Sequence, residues 1–93
     1  FIPPILDLSL IDGSEFVRDE DAFIALRELA EKEGLFAGIS SGAVLYTALE
    51  IAKDMEGGVI VTVLADGGWK YLSEKIWTED PKVLAAKYEG PLW

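Results

Sequence analysis

The sequence has no cysteine and no histidine, and its 17 acidic side chains far outnumber its 8 basic ones. Without cysteine the chain can form neither a disulfide nor a thiolate nucleophile. The lack of histidine removes the imidazole on which zinc sites and acid–base catalysts mostly depend, so we expect no metal site. The formal net charge of −9 argues against nucleic-acid and membrane partners, because no basic patch is available to meet their phosphates.

Long apolar runs and targeting signals are missing as well. No run approaches the ~20 residues of a membrane-spanning helix, and no signal peptide is recognisable, which favours a cytoplasmic protein. Yet 51% of the 93 residues are hydrophobic, a rich supply for one small domain that argues against disorder. Because the chain also opens on apolar residues without an initiator methionine, we expect it to be the interior of a longer protein.

Two segments have apolar residues at helical spacing. In the first, Asp19 or Asp21 is predicted to be the N-cap, since acidic residues suit the positive end of a helix. Gly34 is predicted to end this helix in the left-handed conformation. The second helix is predicted over about residues 42–55, before the glycine pair at 57–58.

Three apolar runs are predicted to be β-strands. Residues 15–17 would form a short strand, and residues 35–39 a buried parallel one. Residues 59–64 are almost wholly β-branched and apolar, which is typical of a parallel strand covered on both faces. The order helix, strand, helix, strand predicts an α/β fold in which helices flank parallel-type strands.

Polar and glycine-rich loops follow the two stronger strands. The first reads Gly-Ile-Ser-Ser-Gly-Ala at residues 38–43, where one serine can cap the helix and the other can meet a ligand. The second reads Ala-Asp-Gly-Gly at residues 65–68. Parallel strands would bring both loops to one sheet edge, where ligands of α/β proteins bind, so a small-molecule site is predicted there. The alternatives are a plain N-cap and a tight turn.

Residues 34–43 and 61–73 together resemble the C-terminal third of the cysteine synthase family. These are the fold-type II enzymes that use pyridoxal 5'-phosphate (PLP), and they include cystathionine β-synthase. The resemblance covers nearly the whole chain in order and spacing, and residues 1–3 resemble the segment after a glycine-rich active-site loop. It implies that residues 1–93 are the C-terminal portion of the large, PLP-binding catalytic domain. The implied reaction replaces the β-substituent of O-acetylserine or O-phosphoserine by a sulfur nucleophile to give cysteine.

The resemblance also implies roles for single residues. Ser40, the first serine of the motif, would hydrogen-bond the pyridine nitrogen of PLP, and a neutral hydroxyl leaves the ring a weaker electron sink than an aspartate would. Ser41 is expected to cap the second helix. Gly38, Ala65 and Asp66 would complete the cofactor-binding set beside the same ring edge. Many relatives have proline where Ala65 stands.

Other parts of the family pattern have no counterpart in this chain. The Schiff-base lysine, the asparagine loop for the substrate carboxylate and the glycine–threonine phosphate cradle are all missing, so no catalytic residue is expected here and the chain alone should be inactive. Residues 68–71 and the tail at 90–93 resemble the branch with O-phosphoserine-using sulfhydrylases. That tail would either pack on its domain or fold over the active-site mouth.

The partners implied by the resemblance are the remainder of the same enzyme, an amino-acid substrate and a second copy in a homodimer. Serine acetyltransferase or a sulfur-carrier protein would be a further partner. Two alternatives remain open: a related PLP lyase such as cystathionine β-synthase or a threonine synthase-like enzyme, and a non-catalytic binding paralogue. A lysine in the PLP-binding context upstream would favour an enzyme, and its absence would favour the binding protein.

Overall fold

The computed structural model describes residues 3–71 and 77–86, and this part of the chain is mostly helical. It contains three α-helices and two short 3-10 helices, Leu8–Leu10 and Gly68–Tyr71. The α-helices are α1 (Asp19–Glu33), α2 (Ile39–Ala52) and α3 (Pro81–Ala86). Within the described ranges, no helix combines the length and the apolar character needed to cross a bilayer.

Helix α1 confirms the first predicted helix but corrects its N-cap. The N-cap is Arg18, in an extended conformation and without a side-chain cap hydrogen bond, so neither Asp19 nor Asp21 takes that position. Both carboxylates lie in the first turn instead, where they still face the positive end of the helix. There Asp21 accepts a hydrogen bond from Nε of Arg18 at 3.1 Å. Gly34 ends the helix at φ 68°, as predicted.

The core lies where α1 meets α2 and α3. Phe23, Leu26 and Leu84 are almost fully buried and form its centre. Smaller contributions come from the first turn of α2 and from the segment before it, through Ile39 and Ala37. This core therefore anchors the start of α2, where the serine motif lies.

Helix α3 was missed in the sequence, although its start carries a recognisable signal. Asp80 caps it, because the carboxylate accepts a hydrogen bond from the Lys82 N–H at 2.8 Å. Pro81 follows at the first helical position, where a missing N–H costs nothing. Leu84 is 2% exposed and packs into the core beside α1, and Ala85 packs against the same core, so this short helix is tied to the rest mainly through Leu84.

The three predicted strands are wrong for the described part of the chain. Residues 15–17 and 59–64 form no strand there, and Ile39 belongs to α2. Val59, Val61 and Val63 are 87%, 86% and 75% exposed, not covered on both faces. A parallel strand needs neighbours on its edges and layers on its faces, and none of the described residues supplies them. Expectations on residues 1–2, 72–73 and the tail at 90–93 lie outside the described residues.

Candidate functional site

The two loops predicted to share a site lie side by side in the structure. The backbone N–H of Gly38 donates to the carbonyl of Asp66 at 2.9 Å, and that of Gly68 donates to the carbonyl of Phe36 at 3.0 Å. These bonds surround an isolated bridge between Ala37 and Gly67, which is antiparallel. The parallel strands expected to unite the loops are therefore replaced by a single antiparallel bridge.

The side chain of Asp66 packs directly on Gly38. A Cβ built on Gly38 would lie 2.6 Å from Cγ of Asp66, far closer than real side chains approach. Any residue other than glycine at position 38 would therefore displace Asp66. The Oδ1 atom of Asp66 is screened from solvent, so this carboxylate is held at the start of α2, the positive end of that helix.

Helix α2 begins three residues before its predicted start at Gly42, which places both serines in its first turn. Its N-cap is Gly38, in an extended conformation and without a side-chain cap hydrogen bond. The predicted capping role of Ser41 is therefore wrong, because Ser41 lies inside the helix. Its side chain is fully buried, and its hydroxyl oxygen has no hydrogen-bond partner among the described residues.

Ser40 has the opposite environment to its neighbour. It is half-buried and lines a cleft of about 390 Å³ between α2, residues 15–17 and residues 60–62. The α2 wall of this cleft is mostly apolar, with Ala43 and Val44 one turn further on. The hydroxyl of Thr47 is already used, since it donates to the carbonyl of Ala43 at 3.1 Å. Ser40 thus supplies the hydroxyl at the N-terminal end of the cleft.

The four predicted cofactor-binding residues reach this region in different ways. Ser40 lines the cleft, whereas Gly38 and Asp66 pack on each other just before α2. Ala65 is exposed and precedes Asp66. The structure thus brings three of the four to one end of α2. The role of Gly42 was missed: a Cβ there would overlap the carbonyl oxygen of Ala22, so this glycine lets α2 approach α1 closely.

The opposite side of the helix pair carries an acidic groove of about 520 Å³ between α1 and α2. Asp21, Glu28 and Glu50 line it together with Tyr46 and one cation, Lys53. Desolvation raises the pKa of the Tyr46 phenol above its ordinary value, and the nearby carboxylates of Asp21 and Glu50 raise it further. No cluster of metal-binding side chains occurs within residues 3–71 and 77–86. The groove is therefore predominantly negatively charged, but its described side chains do not form a group that could bind a metal ion.

Comparison with known proteins gives the class of protein. The family model described as "Pyridoxal-phosphate dependent enzyme" matches residues 1–66. Since this match covers more than half of the 93 residues, the chain belongs to the family of PLP-dependent enzymes. The resemblance noted in the sequence is confirmed at this level.

Individual relatives narrow the comparison. The chain is 43% identical over 81 residues to the cysteine synthase of Aquifex aeolicus (strain VF5), covering 83% of this chain and 25% of that protein. It is 50% identical over 78 residues to the O-acetylserine dependent cystathionine beta-synthase of Bacillus subtilis (strain 168), with the same two coverages. The chain therefore spans about a quarter of the length of these curated relatives.

A solved structure is similar over nearly all of this chain. It is a crystal structure of a point mutant of O-ureido-L-serine synthase with O-ureido-L-serine bound, at a TM-score of 0.78 and 39% identity. The match covers 98% of this chain and 30% of the synthase. The helical arrangement described above is thus similar to one part of a larger enzyme.

The described residues fit one end of PLP. A pyridine nitrogen needs one hydrogen-bond donor beside an apolar surface, and Ser40 offers a hydroxyl next to Ala43 and Val44. The described lining of the cleft contains no lysine or arginine that could meet a phosphate. The cleft therefore suits the ring nitrogen, and groups for the phosphate would have to come from elsewhere.

Proposed function

We propose that this chain is the C-terminal part of a PLP-dependent cysteine synthase, which makes cysteine from O-acetylserine or O-phosphoserine and a sulfur nucleophile. The observation that carries the proposal is the position of Ser40, a hydroxyl-bearing residue that lines a mostly apolar cleft at the start of α2. The family match and the identity of 43% to a cysteine synthase support the same reaction class.

When bound, PLP supplies the electron sink that lets the β-substituent of an amino acid leave. In this chain, Ser40 would hold the ring nitrogen with a neutral hydroxyl that keeps its own proton. The apolar wall of α2, with Ala43 and Val44, keeps water from that end of the ring. A lysine that would hold PLP and move the α-proton would have to come from the remainder of the enzyme.

The remainder of the same enzyme is the partner that this proposal requires. The exposed valines at 59, 61 and 63 support it, because so much apolar surface on one short segment calls for a cover. In the completed enzyme, residues 59–64 become a strand of a parallel sheet, which gives the α/β domain that the pattern predicts. The homodimer, the serine acetyltransferase contact and the sulfur-carrier contact remain predictions.

A related lyase activity is the second candidate. The Bacillus subtilis relative, 50% identical over 78 residues, is named as a cystathionine beta-synthase that depends on O-acetylserine. In that case homocysteine, in place of sulfide, would attack the same activated serine. The two candidates share the role of Ser40 and differ only in the sulfur nucleophile.

The test is a visible absorption spectrum of a chimera, in which this chain replaces the matching quarter of the Aquifex aeolicus cysteine synthase. We expect a yellow protein with bound PLP, whose band shifts when O-acetylserine or O-phosphoserine is added. The unmodified Aquifex enzyme serves as the positive control, and the isolated chain should stay colourless. A folded chimera that never binds PLP would contradict the proposal and favour a non-catalytic paralogue.

Product analysis of the chimera, repeated with the N-terminal portion of the natural protein that carries this chain, separates the candidate reactions. Sulfide should give cysteine, and homocysteine should give little cystathionine. The reverse preference would establish the lyase. Parallel reactions with O-acetylserine and O-phosphoserine identify the leaving group. The preference for one of the two serines should be the same when the N-terminal portion comes from the natural protein that carries this chain.

A further inference from the structure

Helix α2 begins at a residue that cannot cap it. The first N–H groups of any α-helix lack partners within the helix, and a side chain at the N-cap usually accepts from one of them. The N-cap of α2 is Gly38, which has no side chain to do so. A helix that has to hold Ser40 in a fixed direction thus starts without its ordinary support.

The neighbouring loop provides support through Asp66. Its carbonyl oxygen accepts a hydrogen bond from the Gly38 N–H at 2.9 Å, and its carboxyl group occupies the space where a Cβ of Gly38 would stand. Its Oδ1 atom is screened from solvent although the residue as a whole is only half-buried, so this oxygen faces the protein and not the solvent. On the far side of the bridge, Gly68 donates to Phe36 at 3.0 Å. The segment that enters α2 is therefore held on both sides.

We propose that Asp66 is a positioning residue, which aligns the Ser40 hydroxyl by holding Gly38 at the start of α2. Its role toward the cofactor rests on the proposed function, because it assumes that Ser40 meets the ring nitrogen of PLP. The carboxylate stabilises the positive end of α2 from outside the helix. Gly38 and Asp66 form a matched pair, since the side chain of one requires the absence of a side chain on the other.

The pairing can be tested in the chimera before any cofactor is added. The variants are Gly38→Ala, Asp66→Ala and the double variant, and amide hydrogen exchange in the first turn of α2 is the readout. Gly38→Ala should accelerate exchange by about tenfold or more, and adding Asp66→Ala should restore part of the protection, because the clash disappears. Gly57→Ala, where a Cβ meets nothing within 4 Å, is the control. If the two substitutions change the exchange rates additively and the double variant regains no protection, the pairing is overturned.

The role toward Ser40 is tested in the chimera with PLP as the ligand. Asp66→Ala should weaken PLP binding by about tenfold and shift the visible band in the same direction as Ser40→Ala. In the Ser40→Ala background, Asp66→Ala should cause no further loss, because it acts only through that hydroxyl. Asp66→Asn keeps the shape without the charge and should restore the PLP affinity only in part, because the interaction of the carboxylate with the positive end of α2 is lost.

Two results would overturn this role. One is a loss of PLP affinity on Asp66→Ala that is equally large in the Ser40 protein and in the Ser40→Ala variant. That result would mean that Asp66 acts independently of the Ser40 hydroxyl. The other is an unchanged PLP affinity in Asp66→Ala. A chimera that binds no PLP even without substitutions would refute the proposed function and the role toward Ser40 together, whereas the exchange experiment would still decide the Gly38–Asp66 pairing.

Discussion

Gly42 in α2 lies against the backbone of Ala22 in α1. A Cβ built on Gly42 would overlap the carbonyl oxygen of Ala22 and would lie 3.0 Å from Cβ of Leu26. The two helices thus touch backbone to backbone one turn into α2. This contact fixes the distance between the helices at the turn that carries Ser40 and Ser41.

Replacing Gly42 by alanine should lower the free energy of unfolding by about 1–3 kcal/mol, because backbone atoms cannot move aside as a flexible side chain would. The measurement is chemical denaturation followed by circular dichroism. Gly57→Ala is the matched control, since its Cβ would stand in open space. It should be neutral or slightly stabilising through its effect on the unfolded chain. Equal losses in both variants would contradict the close contact.

Leu84→Ala should lower the free energy of unfolding by about 2–5 kcal/mol and release α3 from α1, because this side chain is 2% exposed and central to the core. Val83, its neighbour on the same helix, is 49% exposed, so Val83→Ala should change the free energy of unfolding by well under about 1 kcal/mol. Denaturation curves of the two variants give the comparison. A larger loss from Val83→Ala would contradict the packing of α3 described here.

Asp21→Asn should lower the pKa of Tyr46. Desolvation and the carboxylates of Asp21 and Glu50 disfavour the negatively charged phenolate and so raise this pKa. Removing one carboxylate, and with it the partner of Arg18, makes the phenolate less unfavourable. The midpoint of an NMR titration of the Tyr46 ring should therefore lie at lower pH in Asp21→Asn. The control variant Glu31→Gln should leave the midpoint unchanged. An unchanged or higher value in Asp21→Asn would contradict this electrostatic account.

Ser41→Ala should leave the free energy of unfolding unchanged or raise it by up to about 1 kcal/mol. The hydroxyl is fully buried without a hydrogen-bond partner among the described residues, so its removal loses no interaction there and relieves a desolvation cost. Alanine is also the better helix former. A loss of more than about 1 kcal/mol on denaturation would mean that the Ser41 hydroxyl has a partner that stabilises the fold.

The sequence predicted the helices better than the strands for a physical reason. Helix α1 satisfies its backbone hydrogen bonds internally, so its apolar spacing and Gly34 are enough to place it. Residues 59–64 can bond only to other strands, and their β-branched composition describes an environment that the described residues do not provide. Without such neighbours the segment forms no strand among the described residues, and its valines stay exposed.

The candidate site was also predictable only in part. The glycines and polar residues of the two loops indicated that Gly38, Ser40 and Asp66 would lie near one another, and the structure places them at one end of α2. The N-cap of α2 was expected at Ser41 and lies at Gly38, whose N–H bonds to the carbonyl of Asp66, a residue distant in sequence that no local pattern connects to it. The walls of the cleft likewise depend on tertiary packing, which the local pattern does not encode.

The most direct test of the whole account compares the two neighbouring serines. PLP is titrated into the chimera and into its Ser40→Ala and Ser41→Ala variants, and the visible band reports binding. Ser40 lines the cleft and Ser41 faces the core, so Ser40→Ala should weaken binding by about tenfold and shift the band, whereas Ser41→Ala should do neither. Equal affinity in all three proteins, or a loss confined to Ser41→Ala, would contradict the assignment of Ser40 to the cofactor.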